Sequence, residues 1–350
     1  MKTPQLLNYA RDQWVPGDSS SLSEIASAID GAPVARTGSG GLDFAAMLDH
    51  ARNVGGPALR KMTFHERARM IKGLGLAVLA RKEELYELNY LTGATRKDGW
   101  IDIEGGAGTM LSFSSKGRRE LPDAHVLLDG PVEPLSKSGA FIGQHVFTPL
   151  QGAAVHINAF NFPVWGMLEK LAPTLLAGMP AIVKPASSTA YLCEAAVRVM
   201  IDTGLLPPGA LQLIVGGVGD LFDHLSGQDV VSFTGSAATA LKLRTHPVVQ
   251  RESVKFVAEQ DSLNASLLGP DAAPGTPEFD LFVKEVVNEM TVKAGQKCTA
   301  IRRAMAPAEH LDALEAAIRD RLAGTKVGDP RDKDSRMGAL VSLGQREDVR

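Results

Sequence analysis

The chain has 350 residues, 44% of them hydrophobic, and a formal net charge of −3. That length is ample for two domains with their own cores. The near-balanced charge and 5% aromatic content give no electrostatic or stacking case for a nucleic-acid partner. Two cysteines make no disulfide framework, which fits a reducing cytoplasm. The N-terminal residues lack the apolar run of a signal peptide, and no uncharged apolar stretch is long enough to predict a membrane span.

Residues before Gly41 read as an irregular or hairpin N-terminus, with loops at Gly17–Ser21 and Thr37–Gly41. Thr63-Phe64-His65-Glu66 is a capping box, and Ile71, Leu74, Val78 and Leu79 recur behind it at helical spacing. A second helix is expected over Trp100–Phe113, and Pro131–Pro149 reads as polar, alternating and bounded by turn residues, as an exposed hairpin would be. From Gln151 the texture changes. Short apolar runs at Ala153–Ile157, Ala181–Val183, Leu211–Val215 and Val230–Phe233 alternate with helices that start near Pro163 and Ser188. That alternation predicts a parallel sheet covered by helices, an α/β fold. A junction is placed near Lys255–Phe256. Beyond it a helix is expected over Phe279–Lys293, a strand after Cys298 and a helix over Glu309–Leu322.

Cys298, in Gly295-Gln296-Lys297-Cys298, follows a glycine that lets the backbone turn. Polar neighbours argue against a core position and for a thiolate nucleophile, although a lone cysteine is more often a small buried hydrophobe. Cys193 sits in an ordinary helix pattern and reads as structural. Asn161 stands after a strand and at a helix start. There it is either an N-cap or an amide that donates to a developing oxyanion. Glu259 closes an apolar strand, either solvated or as a general base, with Asp261 a competitor for any carboxylate role. Lys184 follows a strand, either as a surface cation or in the ligand crevice at the strand ends. Phe233-Thr234-Gly235-Ser236 reads as strand, tight turn and helix start, which offers backbone N–H groups to a phosphate. The clusters Gly216-Gly217-Val218-Gly219 and Gly38-Ser39-Gly40-Gly41 do not have the strand-then-helix spacing of a dinucleotide fingerprint. No metal site is expected.

With these motifs in order, residues 42–350 resemble the aldehyde dehydrogenase superfamily. Within it, five segments resemble the dehydrogenase part of the bifunctional phenylacetate-degradation protein. They are Gly56–Phe64, Asp102–Gly106, His156–Pro163, Asp261–Asn264 and Lys293–Arg303. A sister family, the 3,4-dehydroadipyl-CoA semialdehyde dehydrogenase of benzoate breakdown, shares much of the pattern. The resemblance implies that Cys298 is the nucleophile, Asn161 the oxyanion donor and Glu259 the base. It puts Lys184, Ser187, Ala159, Phe160, Phe233, Thr234, Gly235 and Ser236 on the cofactor. NAD-preferring relatives place a Glu three residues after the lysine. Ser187 stands there, so NADP is expected over NAD.

The implied activity is NADP-dependent oxidation of a small-molecule CoA-linked semialdehyde to its acid, in aerobic phenylacetate degradation or, alternatively, in the benzoate route. A CoA-acylating dehydrogenase and an inactive cofactor-binding fragment are the rival readings. The Glu-x-Phe-Gly-Pro motif of the family is absent, so an incomplete catalytic domain is expected. The implied organisation is a helical N-terminal part over 1–130, an exposed oligomerisation hairpin over 131–150, a Rossmann-like cofactor domain over 151–256 and the catalytic part over 257–350. A cytoplasmic homo-oligomer is expected of the full-length form.

Overall fold

The computed structural model describes residues 3–350. Thirteen strands occur among these residues. The first six are β1 (Leu7–Ala10), β2 (Gln13–Pro16), β3 (Ser23–Ala26), β4 (Pro33–Thr37), β5 (Leu127–Pro134) and β6 (Ile142–Phe147). They are followed by β7 (Ala154–Ile157), β8 (Ala181–Lys184), β9 (Leu211–Leu213), β10 (Val230–Thr234), β11 (Lys255–Glu259), β12 (Asn264–Leu267) and β13 (Ile301–Met305). Seven of them form one sheet in the order β11-β10-β7-β8-β9-β1-β2. The five strands from β11 to β9 are parallel.

Successive residues of a strand face opposite sides of its sheet, so a sheet covered on both faces reads as an unbroken apolar run. β8 shows this directly. Ala181 and Val183 enter one core with the helices Phe64–Ala80, Gly105–Arg119, Pro163–Leu176 and Ala190–Asp202. Ile182 enters the other, with Phe44, Met47, Leu48, Phe222 and Val249. The first core packs closely because Gly106 has no side chain: a Cβ there would lie 2.9 Å from Trp165 Cα.

Three expectations change. The N-terminal residues form a hairpin of β1 with β2, one of their two expected forms, but β1 also pairs antiparallel with β9, so this hairpin adds two strands to the main sheet. Residues 1–130 are therefore not purely helical. β11 pairs with β10 as far as Glu259, so the main sheet runs past the expected junction at Lys255–Phe256. The expected Phe279–Lys293 helix spans Pro277–Thr291. Lys293 and Ala294 both take φ of 53°, and Gly295 follows at 70°. Left-handed backbone at two non-glycine residues costs about 1–3 kcal/mol each. It is held here by Asp98, whose Oδ1 accepts from Lys293 N at 3.0 Å.

The two glycine clusters pack against each other. A Cβ on Gly216 would overlap Ser39 N and lie 2.6 Å from Gly38 C. The β5–β6 hairpin stands apart and is less polar on its outside than its sequence suggested, with Leu128, Phe141, Ile142, Val146 and Phe147 each at least half exposed. Beyond β11, a smaller core of Leu268, Phe279, Phe282, Val283, Val286 and Leu314 sits with the parallel pair β12–β13. Among the described residues no helix is long and apolar enough to cross a membrane.

Candidate active site

Parallel register brings the carboxyl ends of four strands to one edge. Ile157 pairs with Lys184 and with Phe233, and Thr234 pairs with Glu259. In open α/β sheets this edge is where ligands bind. Asn161 stands just beyond β7, half-buried, on the bend that leads to Pro163 at the first turn of its helix. Ala159 and Phe160 lie between β7 and that bend.

Cys298 comes to the same edge from the smaller layer. It is exposed and lies in a four-residue turn closed by Ala300 N–H donating to Lys297 O at 3.3 Å. Partial burial raises the thiol pKa, and the nearby carboxylates of Glu259 and then Glu169 push it further the same way. The structure thus places Glu259, at the end of β11 in the large sheet, beside Cys298, in the turn that leads into β13 of the small one. Asp261 is committed elsewhere: its Oδ2 accepts from Ala237 N at 2.9 Å. Cys193 is buried, and its Sγ donates to Pro163 O at 3.2 Å. Burial holds that thiol well above its ordinary range.

On the cofactor side, Lys184 ends β8, and burial lowers its amine. Ser187 is exposed in the short 3-10 turn that follows. The Thr234–Ser236 turn departs from expectation. Gly235 N–H donates to Glu259 O at 3.1 Å, Ala237 N–H goes to Asp261, and Thr239 N–H donates to Ser236 Oγ at 3.3 Å. Three amides of this turn and first helical turn are therefore engaged within the protein, and the Asp261 carboxylate occupies the first N–H of the Ala237–Arg244 helix.

Two site residues were not read from the sequence, Glu169 and Lys170. Both lie on the Pro163–Leu176 helix. Lys170 Nζ donates to Asn158 Oδ1 and Thr234 Oγ1, each at 2.7 Å, and to Ile157 O at 3.3 Å, bridging β7 and β10. Burial pushes its pKa down to about 8, against the opposing pull of Glu169 and Glu259. Burial raises the Glu169 carboxyl, and Glu259 adds to the rise. The available signal was a charged pair interrupting an otherwise apolar helix directly behind Asn161.

The aldehyde dehydrogenase family model matches residues 14–350. The chain belongs to the aldehyde dehydrogenase family. It is 46% identical over 342 residues to 3,4-dehydroadipyl-CoA semialdehyde dehydrogenase of Aromatoleum evansii, covering 97% of this chain and 66% of that protein. The chain thus spans just under two thirds of that relative's length. Among solved structures it is similar to lactaldehyde dehydrogenase, with a TM-score of 0.87, 21% identity and coverage of 99% of this chain and 70% of the other. It is also similar to betaine aldehyde dehydrogenase of Staphylococcus aureus in complex with NAD+, with a TM-score of 0.86, 21% identity and coverage of 98% and 66%. At that identity the two structures establish the fold alone.

Proposed function

We propose that this aldehyde dehydrogenase oxidises a CoA-linked semialdehyde to its acid through a covalent Cys298 adduct. The observation that carries this reading is the meeting of Cys298 and Glu259 at the carboxyl edge of the sheet, with Asn161 on the same edge. Because partial burial, and after it the carboxylates of Glu259 and Glu169, raise its pKa, the Cys298 thiol keeps its proton at neutral pH. Attack therefore needs a base, and Glu259 is beside it. The sulfur adds to the aldehyde carbon while the thiol proton passes to Glu259. The Asn161 amide donates to the developing oxyanion, a contact worth roughly 3–4 kcal/mol in the transition state. A nicotinamide dinucleotide, when bound, accepts the hydride that leaves the adduct. The proton taken from the thiol leaves Glu259 for solvent, and the carboxylate then takes a proton from water, whose oxygen attacks the thioester carbon. The carbon–sulfur bond breaks and the thiol is restored. A carboxylate beside the thiol supports water, and not a CoA thiol, as the acyl acceptor.

Lys184 and Ser187 support NADP over NAD. The relative from Aromatoleum evansii supports a CoA-linked semialdehyde and, within that class, the dehydroadipyl type over the phenylacetate type that the motifs suggested. The apolar outer face of the β5–β6 hairpin supports assembly of copies through it. The test is reduction of NADP by a CoA-linked semialdehyde. Cys298→Ala should abolish it and leave the cofactor dissociation constant unchanged, while Cys193→Ala should change neither. Aldehyde oxidation that survives in Cys298→Ala refutes the assignment.

A further inference from the structure

The segment from Gln260 to Leu263 leaves β11 of the large sheet and enters β12 of the small one. Its start is fixed on the large sheet, where Thr234 pairs with Glu259 and Asp261 accepts from Ala237 N. Its end is fixed on the turn that carries the thiol. Ser262 Oγ donates to the Cys298 carbonyl oxygen, and Asn264 Nδ2 donates to the same oxygen at 2.6 Å. Asn264 Nδ2 also reaches Ala300 O at 3.1 Å, so one amide spans the turn.

The turn needs this support. In a four-residue turn the closing bond joins the first carbonyl to the last N–H, and the central peptide makes no bond within the turn. Here the central peptide is Cys298–Thr299, whose carbonyl is the group that Ser262 and Asn264 hold. Cys298 and Thr299 are exposed, so packing does little to fix them.

We propose that Ser262 and Asn264 are positioning residues that hold the Cys298 turn in register with the Glu259 carboxylate, so that nucleophile and base, carried by different sheets, keep one relative geometry. The proposal rests on the roles given above to Cys298 and Glu259. Neither Ser262 nor Asn264 touches the thiol. They act through the peptide that carries it, and a fault in that geometry should weaken the communication between the two groups before it unfolds the layer. The charged groups that face the thiol are Glu259, from the end of β11, and Glu169, from the Pro163–Leu176 helix. Lys297, the adjacent cation, is paired with Glu289 at 2.7 Å.

The experiment is a cycle of thiol titrations on the protein without added cofactor. The pH profile of Cys298 alkylation by iodoacetamide is measured in the native protein, Glu259→Gln, the double variant Ser262→Ala/Asn264→Ala, and the triple variant. Cys298→Ala supplies the background from Cys193. Removing the Glu259 charge should move the alkylation midpoint to lower pH in the native background, and less than half as far in the double-variant background. Ser262→Thr, which keeps the hydroxyl, should preserve the full displacement. An equal displacement in both backgrounds overturns the proposal and leaves the functional reading standing. No displacement in either background overturns both. If the double variant does not fold, Ser262→Ala alone carries the same cycle, and a displacement undiminished in it overturns the proposal.

Discussion

Lys170 offers a direct measure of how the site's electrostatics enter stability. Burial lowers its pKa from 10.5 to about 8. Below about pH 8 the folded and unfolded chains both hold the proton. Between about 8 and 10.5 the unfolded chain holds it and the folded chain has lost it, so stability rises with pH across that window. The gap corresponds to about 3 kcal/mol at roughly 1.36 kcal/mol per pH unit. Lys170→Met removes this rise. It also strips a donor from Asn158 Oδ1 and Thr234 Oγ1, a loss of about 1–3 kcal/mol where an acceptor is left buried and unpaired. Near pH 7 the relief of a desolvated charge offsets that loss, and the variant should match or slightly exceed the native protein. Near pH 10 the relief is gone, and the variant should be less stable by about 1–3 kcal/mol. Urea unfolding followed by tryptophan fluorescence at pH 7 and pH 10 reads the crossing. Parallel pH dependence in the two proteins would show that Lys170 is not desolvated as described.

Adjacent glycines separate packing from cofactor binding. Gly216→Ala drives a Cβ into Ser39 N and should destabilise by about 1–3 kcal/mol, whereas a Cβ on Gly217 meets nothing within 4 Å and should change stability by no more than about 0.5 kcal/mol. Thermal midpoints test the contrast, and a loss of cofactor affinity in folded Gly217→Ala would return this cluster to the cofactor. Ser187→Glu should move the ratio of kcat/KM for NADP over NAD toward NAD, because the new carboxylate repels a 2′-phosphate and can accept from a ribose hydroxyl. An unchanged ratio refutes the assignment of Ser187 to cofactor choice.

The parallel strands were legible because burial on both faces leaves them almost purely apolar, as in Ala154–Ile157 and Ala181–Val183. β1 was not legible. Its Asn8 is fully buried, which its polarity argues against, and it is accommodated by distant partners: Asn8 Nδ2 donates to Gly38 O at 3.0 Å, and Val215 N donates to Asn8 Oδ1 at 2.9 Å. Such pairing between remote segments has no local signature. The helix end at Thr291 failed for a related reason. Val292-Lys293-Ala294 continues a helical pattern locally, but Asp98, nearly two hundred residues earlier, captures the Lys293 amide and sets the left-handed path toward Cys298. Cys298, Glu259 and Asn161 could each be singled out from sequence neighbours. Their meeting at one edge could not be read from spacing, because it depends on the register of β7, β10 and β11.

That meeting also bears on the form in which the nucleophile waits. A cysteine made reactive by cationic neighbours or a helix N-terminus is a thiolate before substrate arrives. Cys298 has the opposite surroundings. Two carboxylates face it, the adjacent Lys297 is engaged by Glu289, and its pKa is raised. A thiol in this setting resists oxidation and adventitious alkylation, since both require the thiolate. In the proposed mechanism it becomes nucleophilic only as its proton moves to Glu259 during attack. In the second half of the proposed cycle Glu259 must be a carboxylate again to take a proton from water, so the proton gained from the thiol has to leave between the two steps. Lys170, close to Glu259, has its pKa lowered by burial to about 8, which brings its proton exchange toward neutral pH. The arrangement therefore ties thiol protection and turnover to one carboxylate, and it makes the geometry between Glu259 and the Cys298 turn the quantity on which both depend.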